Sequence, residues 1–591
     1  MDTESKFLRQ FLQAVRPSFE KRMPSQMRKY LSNTSLPQVY ASTKDVAEAK
    51  LKEHPGKATL SIDGHTDGNG RSVTTICILK PNVNVFYGLC WKRNERSTGK
   101  NLATMVENVM ADYPDEMLGI VVDNTGNNLA MFEDLREKQS EELVYKYLLL
   151  VGCCVHLLDL LIEDICKISE LDKIIKDANF MVTFVLEHKI FYEEFSILRM
   201  SRKEACKNIR TFSPTRFAHA YLMCQSVLGA FPHFGELIKS SVFQQTFAKV
   251  MRGKSTEALK IQTKFTRFRA LSTNQHNFLG KLEAVYEILS PISQALHYGE
   301  GQNVPASHFY IMYQVILKTA KHPKDVVKEH ISAATLEAVV DLIKDRWIPP
   351  HGSWKQSIKS DEVLAVFGLD PYALSLSPRN WFNDDVKNAR TRVLNKMAKG
   401  DGLLEALFNT KTSEFQGHEG NVFSLPWQSA SSTAKTYEEN AISYLRNQQP
   451  ESSGEVGDDM TTTIAVLSRF PSSLLLEFWS ACTNDCGESW SMDQVKAHKA
   501  FCTAAKDVCS IKVTTCDTER FGKGFKLIHR GRESLAEDTL EKLFYVYFNH
   551  FLCLPSGHAT APSFKDFIES MLNPDSEKYR DLKVNLSSSD P

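Results

Sequence analysis

The sequence predicts two fold classes in one chain: an α/β domain and a large all-α block. Three observations predict this. Strand-like texture is confined to residues 58–122, where β-branched runs alternate with turn residues. From about Asp172 to Tyr444 that texture gives way to apolar residues at helical spacing. At 591 residues the chain is also too long for one core, while 42% apolar and 24% charged residues match ordinary globular domains. A mostly disordered chain, a collagen-like fibre and a membrane bundle are thereby excluded.

The elements follow in order. Residues 1–50 read as a polar helical segment without a domain-sized core of its own. From Ala58, ATLSID, SVTTICIL and, after Pro81, VNVFYGL make three strands joined by Gly- and Asn-containing turns, a β-meander. Leu102, Met105, Val106, Val109 and Met110 then follow helical spacing. MLGIVVD is a continuous apolar run, as expected of a strand buried on both faces. A long helix from about Ala130 to Lys167 completes the region 51–170. Strand-strand-strand-helix-strand-helix is the order of the first half of an RNase H-like core, though order alone fixes no function.

Residues 171–446 are expected to be α-helical, with Phe278, Leu282, Val285, Leu289, Ile292 and Leu296 on one helix stripe and Leu336, Val340 and Ile343 on another. Residues 447–460, rich in Gly, Ser, Pro and acids, read as a flexible linker. A core-like pattern returns over 461–555. The tail 556–591 ends in NLSSSDP, which is expected to be disordered.

Lys plus Arg and Asp plus Glu each total 71, so the total charge marks no strongly basic nucleic-acid binder, and any basic face must be local. The start, MDTESKFLRQ, is not a secretory signal pattern. The longest apolar stretch, Leu148 to Val155, falls far short of the roughly 20 residues of a membrane span. Thirteen cysteines, an odd and modest number, favour a reducing compartment, cytosol or nucleus, over a disulfide framework.

Two acids end expected strands: Asp63 in SIDGHTDG and Asp123 in VVDNTGNN. If the strands are neighbours, both carboxylates emerge at one sheet edge. There they repel unless a divalent cation bridges them, and hard oxygen donors suit Mg²⁺ or Mn²⁺. Paired ions of this kind support phosphodiester chemistry. The plainer role for such an Asp is to open a turn or cap a helix. In KFTRFR, cations alternate with Phe265 and Phe268, and Arg199, Arg202, Lys203, Lys207 and Arg210 lie nearby in sequence. Lys264, Arg267 and Arg269 suit phosphate contacts beside stacking rings, or form a solvated helix face. Cys482, Cys486, His498 and Cys502 have a spacing that could hold zinc, or the cysteines are simply buried free thiols. Leu540, Leu543, Phe544, Tyr547 and Phe548 form an apolar helix stripe for a partner subunit or for their own core.

Further motifs are GCCVH (Gly152 to His156), PTRF (Pro214 to Phe217), FWSAC (Phe478 to Cys482) and the segment from Val508 to Asn549, which contains TCDTERF and ends in YFN. Taken in order with the two Asp motifs, they resemble the hAT transposase superfamily over nearly the whole chain. The nearest branch joins an amino-terminal domain of unknown function to the hAT C-terminal dimerisation region. SPISQALHYGEGQNVPASHFYIMYQVI, IKDRWI and VFGLDPY in the helical block are similar to that branch too.

The resemblance implies an RNase H-like core split by an α-helical insertion domain, with Asp63, Asp123 and Glu519 as an acidic triad holding two Mg²⁺ or Mn²⁺ ions. By itself Glu519 reads as a surface helix residue paired with Arg520. Cys153 and His156 match a pair lying near the family's active site and bound DNA, and His156 also suits a core histidine within its apolar context. Arg216 matches the Arg of an Arg-Trp motif whose ring stacks on an extruded base. Here Phe217 replaces Trp, keeping a π face with less area and no indole N–H. The spacing of the family's BED zinc finger does not occur in this sequence.

The implied function is DNA cleavage and strand transfer, with transposon ends and target DNA as partners, a homodimer or higher oligomer, no membrane, and a nuclear location. A catalytically silent, transposase-derived dimeric interaction or DNA-binding protein is the alternative.

Overall fold

Alternating and continuous apolar runs build a five-stranded sheet in a computed structural model of the chain. It describes residues 33–34, 36–66, 70–91, 98–113, 116–141, 148–201, 209–212, 218–347, 359–370, 372–373, 384–398, 459–484, 492–521, 536–549 and 552. These fall into two units, one within Met1–Cys153, Asn388–Glu439 and Pro471–Pro591, the other within Cys154–Lys387 and Asn440–Phe470. Among the described residues the chain is mostly helical with one small mixed sheet.

In the first unit, helix α1 (Leu36–Glu53) precedes β1 (Ala58–Thr66), β2 (Ser72–Lys80) and β3 (Val83–Trp91), the expected meander. Pro81 and Asn82 make the β2–β3 turn. Pro fixes its own φ, and Asn82 takes φ 67°, a left-handed conformation that Asn tolerates. Helix α2 (Gly99–Asp112) is capped by Thr98, whose side chain accepts from the Asn101 N–H. Strand β4 (Met117–Val122), helix α3 (Gly126–Glu141) and strand β5 (Leu149–Gly152) follow. The strand order is β3-β2-β1-β4-β5, antiparallel through β3, β2 and β1, and parallel through β1, β4 and β5.

Strand β5 corrects the expected long helix from Ala130 to Lys167. Its four residues are all buried. A short apolar run with no polar alternation carries no period that separates strand from helix, and pairing with β4 decides the matter.

Both sheet faces are covered. Leu60, Ile62, Ile120 and Val122 pack with Ala47 and Leu51 of α1, Leu102 and Val106 of α2, and Phe132 of α3. On the opposite face, Cys77, Phe86 and Val121 pack with Phe521 and with helix α19 (Glu537–Asn549; α4 to α18 are given below) through Leu540, Phe544 and Phe548. Residues far apart in sequence thus complete one core. The Asn549 side chain, fully buried, donates to the Phe86 carbonyl at 2.7 Å and accepts from the Phe86 N–H at 2.9 Å. Its amide stands in for a neighbouring strand where the β2–β3 register shifts.

The apolar stripe of α19 therefore serves its own sheet. Leu540, Phe544 and Phe548 are buried there, with Leu543 and Tyr547 packed against them.

The second unit is helical: α4 (Cys154–Cys166), α5 (Ser169–Glu187), α6 (Lys189–Ser201), α7 (His219–Leu237), α8 (Ser241–Val250), α9 (Thr256–Ser272), α10 (Phe278–Gly299), α11 (Ala306–Lys321), α12 (Asp325–His330), α13 (Ala333–Trp347) and α14 (Asp361–Leu369). After α15 (Asp384–Ala398), helix α16 (Met460–Leu467) belongs to this unit, whose second segment runs to Phe470. Its first segment begins at Cys154. Helices α17 (Ser472–Asn484) and α18 (Met492–Cys509) lie in the first unit. The expected linker up to residue 458 and the tail 556–591 lie outside the described residues. Among the described residues, no helix is long and apolar enough to cross a membrane.

Two buried polar groups yield predictions. The Lys80 ammonium, on a side chain 2% exposed, donates to the carbonyls of Leu51 and His54 at the end of α1 and to Glu116 at 2.9 Å. Lys80→Met strips these acceptors of their donor. It should cost about 1–3 kcal/mol, read as a lower Tm by circular dichroism; an unchanged Tm contradicts this role.

Asp370 is buried, accepting from the Ser307 hydroxyl and from the Tyr372 and Ala373 N–H groups. Burial still pushes its carboxyl up to about 6. A raised carboxyl contributes stability fully below its unfolded pKa, near 3.9, and loses it as pH rises through about 6. Against Asp370→Asn, the native chain should therefore gain stability in urea melts as pH falls from 7 to 4. A difference independent of pH contradicts this.

Candidate active site at the sheet edge

Strand register places the first two acids. Ile62 of β1 pairs with Val122 of β4 in parallel, so Asp63 and Asp123 are each one residue beyond the same rung. Neighbouring strands lie about 4.8 Å apart. Asp63 is still within β1, opposite Thr75 of β2. It shares a strand face with Ser61, two residues earlier, because side chains alternate.

Asp123 opens the β4–α3 turn. Its Oδ1 accepts from the Thr125 N–H at 3.3 Å, the Thr125 hydroxyl at 2.9 Å and the Asn128 amide. The turn-forming role of a strand-end Asp is thus observed at this residue. Next to it, Asn124 donates to the Cys153 carbonyl at 3.2 Å, while among the described residues its buried Oδ1 accepts no hydrogen bond.

Residues 510–521 lie across the face that carries Ser61. The Ser510 hydroxyl donates to the Lys57 carbonyl, the Lys512 N–H to the Thr59 hydroxyl, and the Thr518 hydroxyl to that of Ser61 at 2.5 Å. The short helical segment 516–521 carries Glu519, one residue beyond this clasp. The Thr515 hydroxyl donates to Glu519 Oε1 at 3.3 Å. Arg520 pairs with Asp517.

Cys153 ties the two acidic segments together. Its N–H donates to the Val122 carbonyl, its carbonyl accepts from Asn124, and its Sγ accepts from the Thr515 N–H at 3.3 Å. Burial pushes this thiol up, but hydrogen bonds from Cys516 and Thr515 together take it below the ordinary thiol range, with Glu519 opposing them. Burial holds Cys77 of β2 well above that range, and Asp517 and Asp63 add to the shift against a hydrogen bond from Thr518. Lys512, fully enclosed, is pushed down to about 8 by burial, against the pull of Asp517.

The side chains themselves do not form a ready ligand set. Among the described residues, no three His, Cys, Asp or Glu side chains are gathered to hold a metal. Asp123 is turned to Thr125 and Asn128, and Glu519 to Thr515. The oxygen donors placed at this edge, including the buried Asn124 Oδ1, are of the hard type that fits Mg²⁺ or Mn²⁺.

The other expected site residues are dispersed. Arg216 and Phe217 lie outside the described residues, as do Arg202, Lys203 and Lys207. His156, partly buried on α4, belongs to the helical unit. One turn on, Asp159 accepts from the N–H of Ala218 at 3.2 Å, and Ala218 takes the left-handed φ of 53°. Burial raises the Asp159 carboxyl, while Ala218 and His156 oppose the shift.

Lys264, Arg267 and Arg269 are exposed on α9, but Phe265 and Phe268 are 2% and 0% exposed, packed against Phe184 and Phe243. The expected stacking of nucleic-acid bases on these rings is thereby overturned, because helical spacing turns them inward. Of the zinc residues, Cys482 on α17 and Cys502 on α18 are buried thiols, while Cys486 and the side chain of His498 lie outside the described residues.

Sequence reasoning missed Thr515, Thr518, Ser61 and Asn124, and gave Cys153 no structural task. Alternation alone could have placed Ser61 beside Asp63, whereas the bonds to residues 515 and 518 depend on docking across the fold.

Residues 26–181 match the model of a family described as a domain of unknown function (DUF659). No curated protein matches the chain.

The clasp at Cys153 is testable. Cys153→Val keeps the bulk but leaves the buried Thr515 N–H without an acceptor, which should cost about 1–3 kcal/mol; Cys153→Ser should recover much of it. Chemical denaturation distinguishes them, and equal loss in both variants contradicts the hydrogen-bonding role.

Proposed function

We propose that the chain is a hAT-like DNA transposase or a close derivative, with an RNase H-like catalytic core in its sheet-containing unit. The carrying observation is the parallel β1–β4 register, which sets Asp63 and Asp123 on one edge, with Glu519 brought to the same face by residues 510–521. The strand order β3-β2-β1-β4-β5, with only the first three antiparallel, supports that fold assignment. The match over residues 26–181 supports it further, since that domain occurs in hAT-type transposase-like proteins.

In this reading Asp63, Asp123 and Glu519 hold two divalent ions, with Asn124 Oδ1 as a further oxygen at the edge. When bound, such ions activate an attacking oxygen and stabilise the leaving oxygen of a phosphodiester. The protein's own contribution is orientation. Asn128 and Thr125 fix one oxygen of Asp123, Thr515 fixes one oxygen of Glu519, and Thr518 holds the Glu519 segment to β1. Outer partners of this kind set ligand direction and affinity. The reaction class is hydrolysis and strand transfer at DNA ends, in the nucleus.

A catalytically silent derivative is the second reading, favoured by the turn in which Asp123 is already engaged.

Mn²⁺ decides between them. At a hundredfold excess over Kd, selective binding to the folded site adds about 2.7 kcal/mol, seen as a raised Tm. Glu519→Gln should abolish both that rise and any cleavage of labelled duplex ends. A Tm indifferent to Mn²⁺ and Mg²⁺ refutes the metal site; a Glu519-dependent rise without cleavage favours the silent derivative.

A further inference from the structure

The chain carries no net charge, yet residues 239–272 contain eight cations and one acid. Lys239, Lys249, Arg252, Lys254, Lys260, Lys264, Arg267 and Arg269 are all exposed, and Glu257 is the acid. They decorate the hairpin of α8 and α9. That hairpin is rigidly built: Ser240 and Ser255 cap its helices, and Gln262 donates to the carbonyls of Val250 and Gly253, closing α9 onto the end of α8. Phe243, Phe265 and Phe268 anchor it in an aromatic core. With these rings turned inward, the cations between them are held outward.

We infer that the α8–α9 hairpin is a phosphate-binding surface that docks the backbone of duplex DNA, independently of base sequence. The inference rests on the reading of the chain as a DNA-acting protein and assigns that activity a surface in the helical unit. Lys260, Lys264 and Arg267 follow i, i+4 and i+7 spacing, a line of charge along one side of α9 roughly 10 Å long. Arg267 is partly neutralised by Asp177 and lies over Phe180, while Arg269 lies over Phe247. Such stacking holds each guanidinium in place.

A membrane surface fits less well. The exposed Leu259 and Ile261 are two residues apart and face different directions, and the large rings are committed inside the protein. Because the surface reads charge, it contributes affinity and salt dependence, with no sequence preference of its own.

The test uses the full chain and a fluorescent duplex of arbitrary sequence, with anisotropy titrations at several salt concentrations. The triple variant Lys254→Gln, Lys260→Gln, Lys264→Gln should weaken binding and flatten the slope of log K against log salt by up to about 2.7, near 0.9 per lost phosphate contact. A charge-matched control, Lys324→Gln, Lys328→Gln, Lys344→Gln, removes exposed lysines paired with acids elsewhere in the same unit and should leave the slope unchanged.

Salt-sensitive binding by the native chain with equal slopes in both triple variants overturns the hairpin assignment alone. No duplex binding by the native chain overturns both this assignment and the DNA-acting reading. Tighter binding to single-stranded RNA or to phosphatidylserine vesicles than to duplex overturns the choice of DNA.

Discussion

The parallel pairing of β1 with β4 is the constraint on which the sheet-containing unit depends. Its last rung is Ile62 and Val122, buried in the core under the sheet, and one residue beyond are the two acids. A one-residue slip would carry Ile62 to the opposite face and separate the carboxylates by a rung. Burial thus enforces the register that brings the acids together, so the hydrophobic core and the acidic edge are set by one interaction.

The other sheet face is completed by residues 510–521 and 537–549. Few of their fixing contacts are interchangeable. Asn549 satisfies both backbone groups of Phe86, Thr518 meets Ser61, and Thr515 meets Cys153. Each is a buried polar group whose partner lies hundreds of residues away in sequence, and leaving either member unpaired costs more than forming the pair gains. Such bonds favour one docking position over a merely hydrophobic fit. They carry Glu519 towards the strand face that holds Ser61 and Asp63.

The meander and β4 were legible because β-branched alternation and a continuous apolar run are local signals. Asp63 and Asp123 were legible for the same reason, as acids closing such runs. β5 was not, since Leu149 to Gly152 is too short to show a period and is identified by its partner strand. Phe265 and Phe268 misled because residues three apart share a helix face, and that face is the inward one. The stripe at Leu540 to Phe548 signalled burial correctly, but a sequence pattern does not say which surface covers it. The roles of Thr515, Thr518 and Asn549 arise from tertiary docking alone.

The central claim is that Asp63, Asp123 and Glu519 serve one divalent-metal site at this edge. Crystals grown with Mn²⁺ and measured at its absorption edge test it most directly. The account predicts anomalous density bounded by these three carboxylates, with the two ions about 3.5–4 Å apart expected of a paired site. A well-ordered edge without such density, or Mn²⁺ bound only elsewhere, would contradict it.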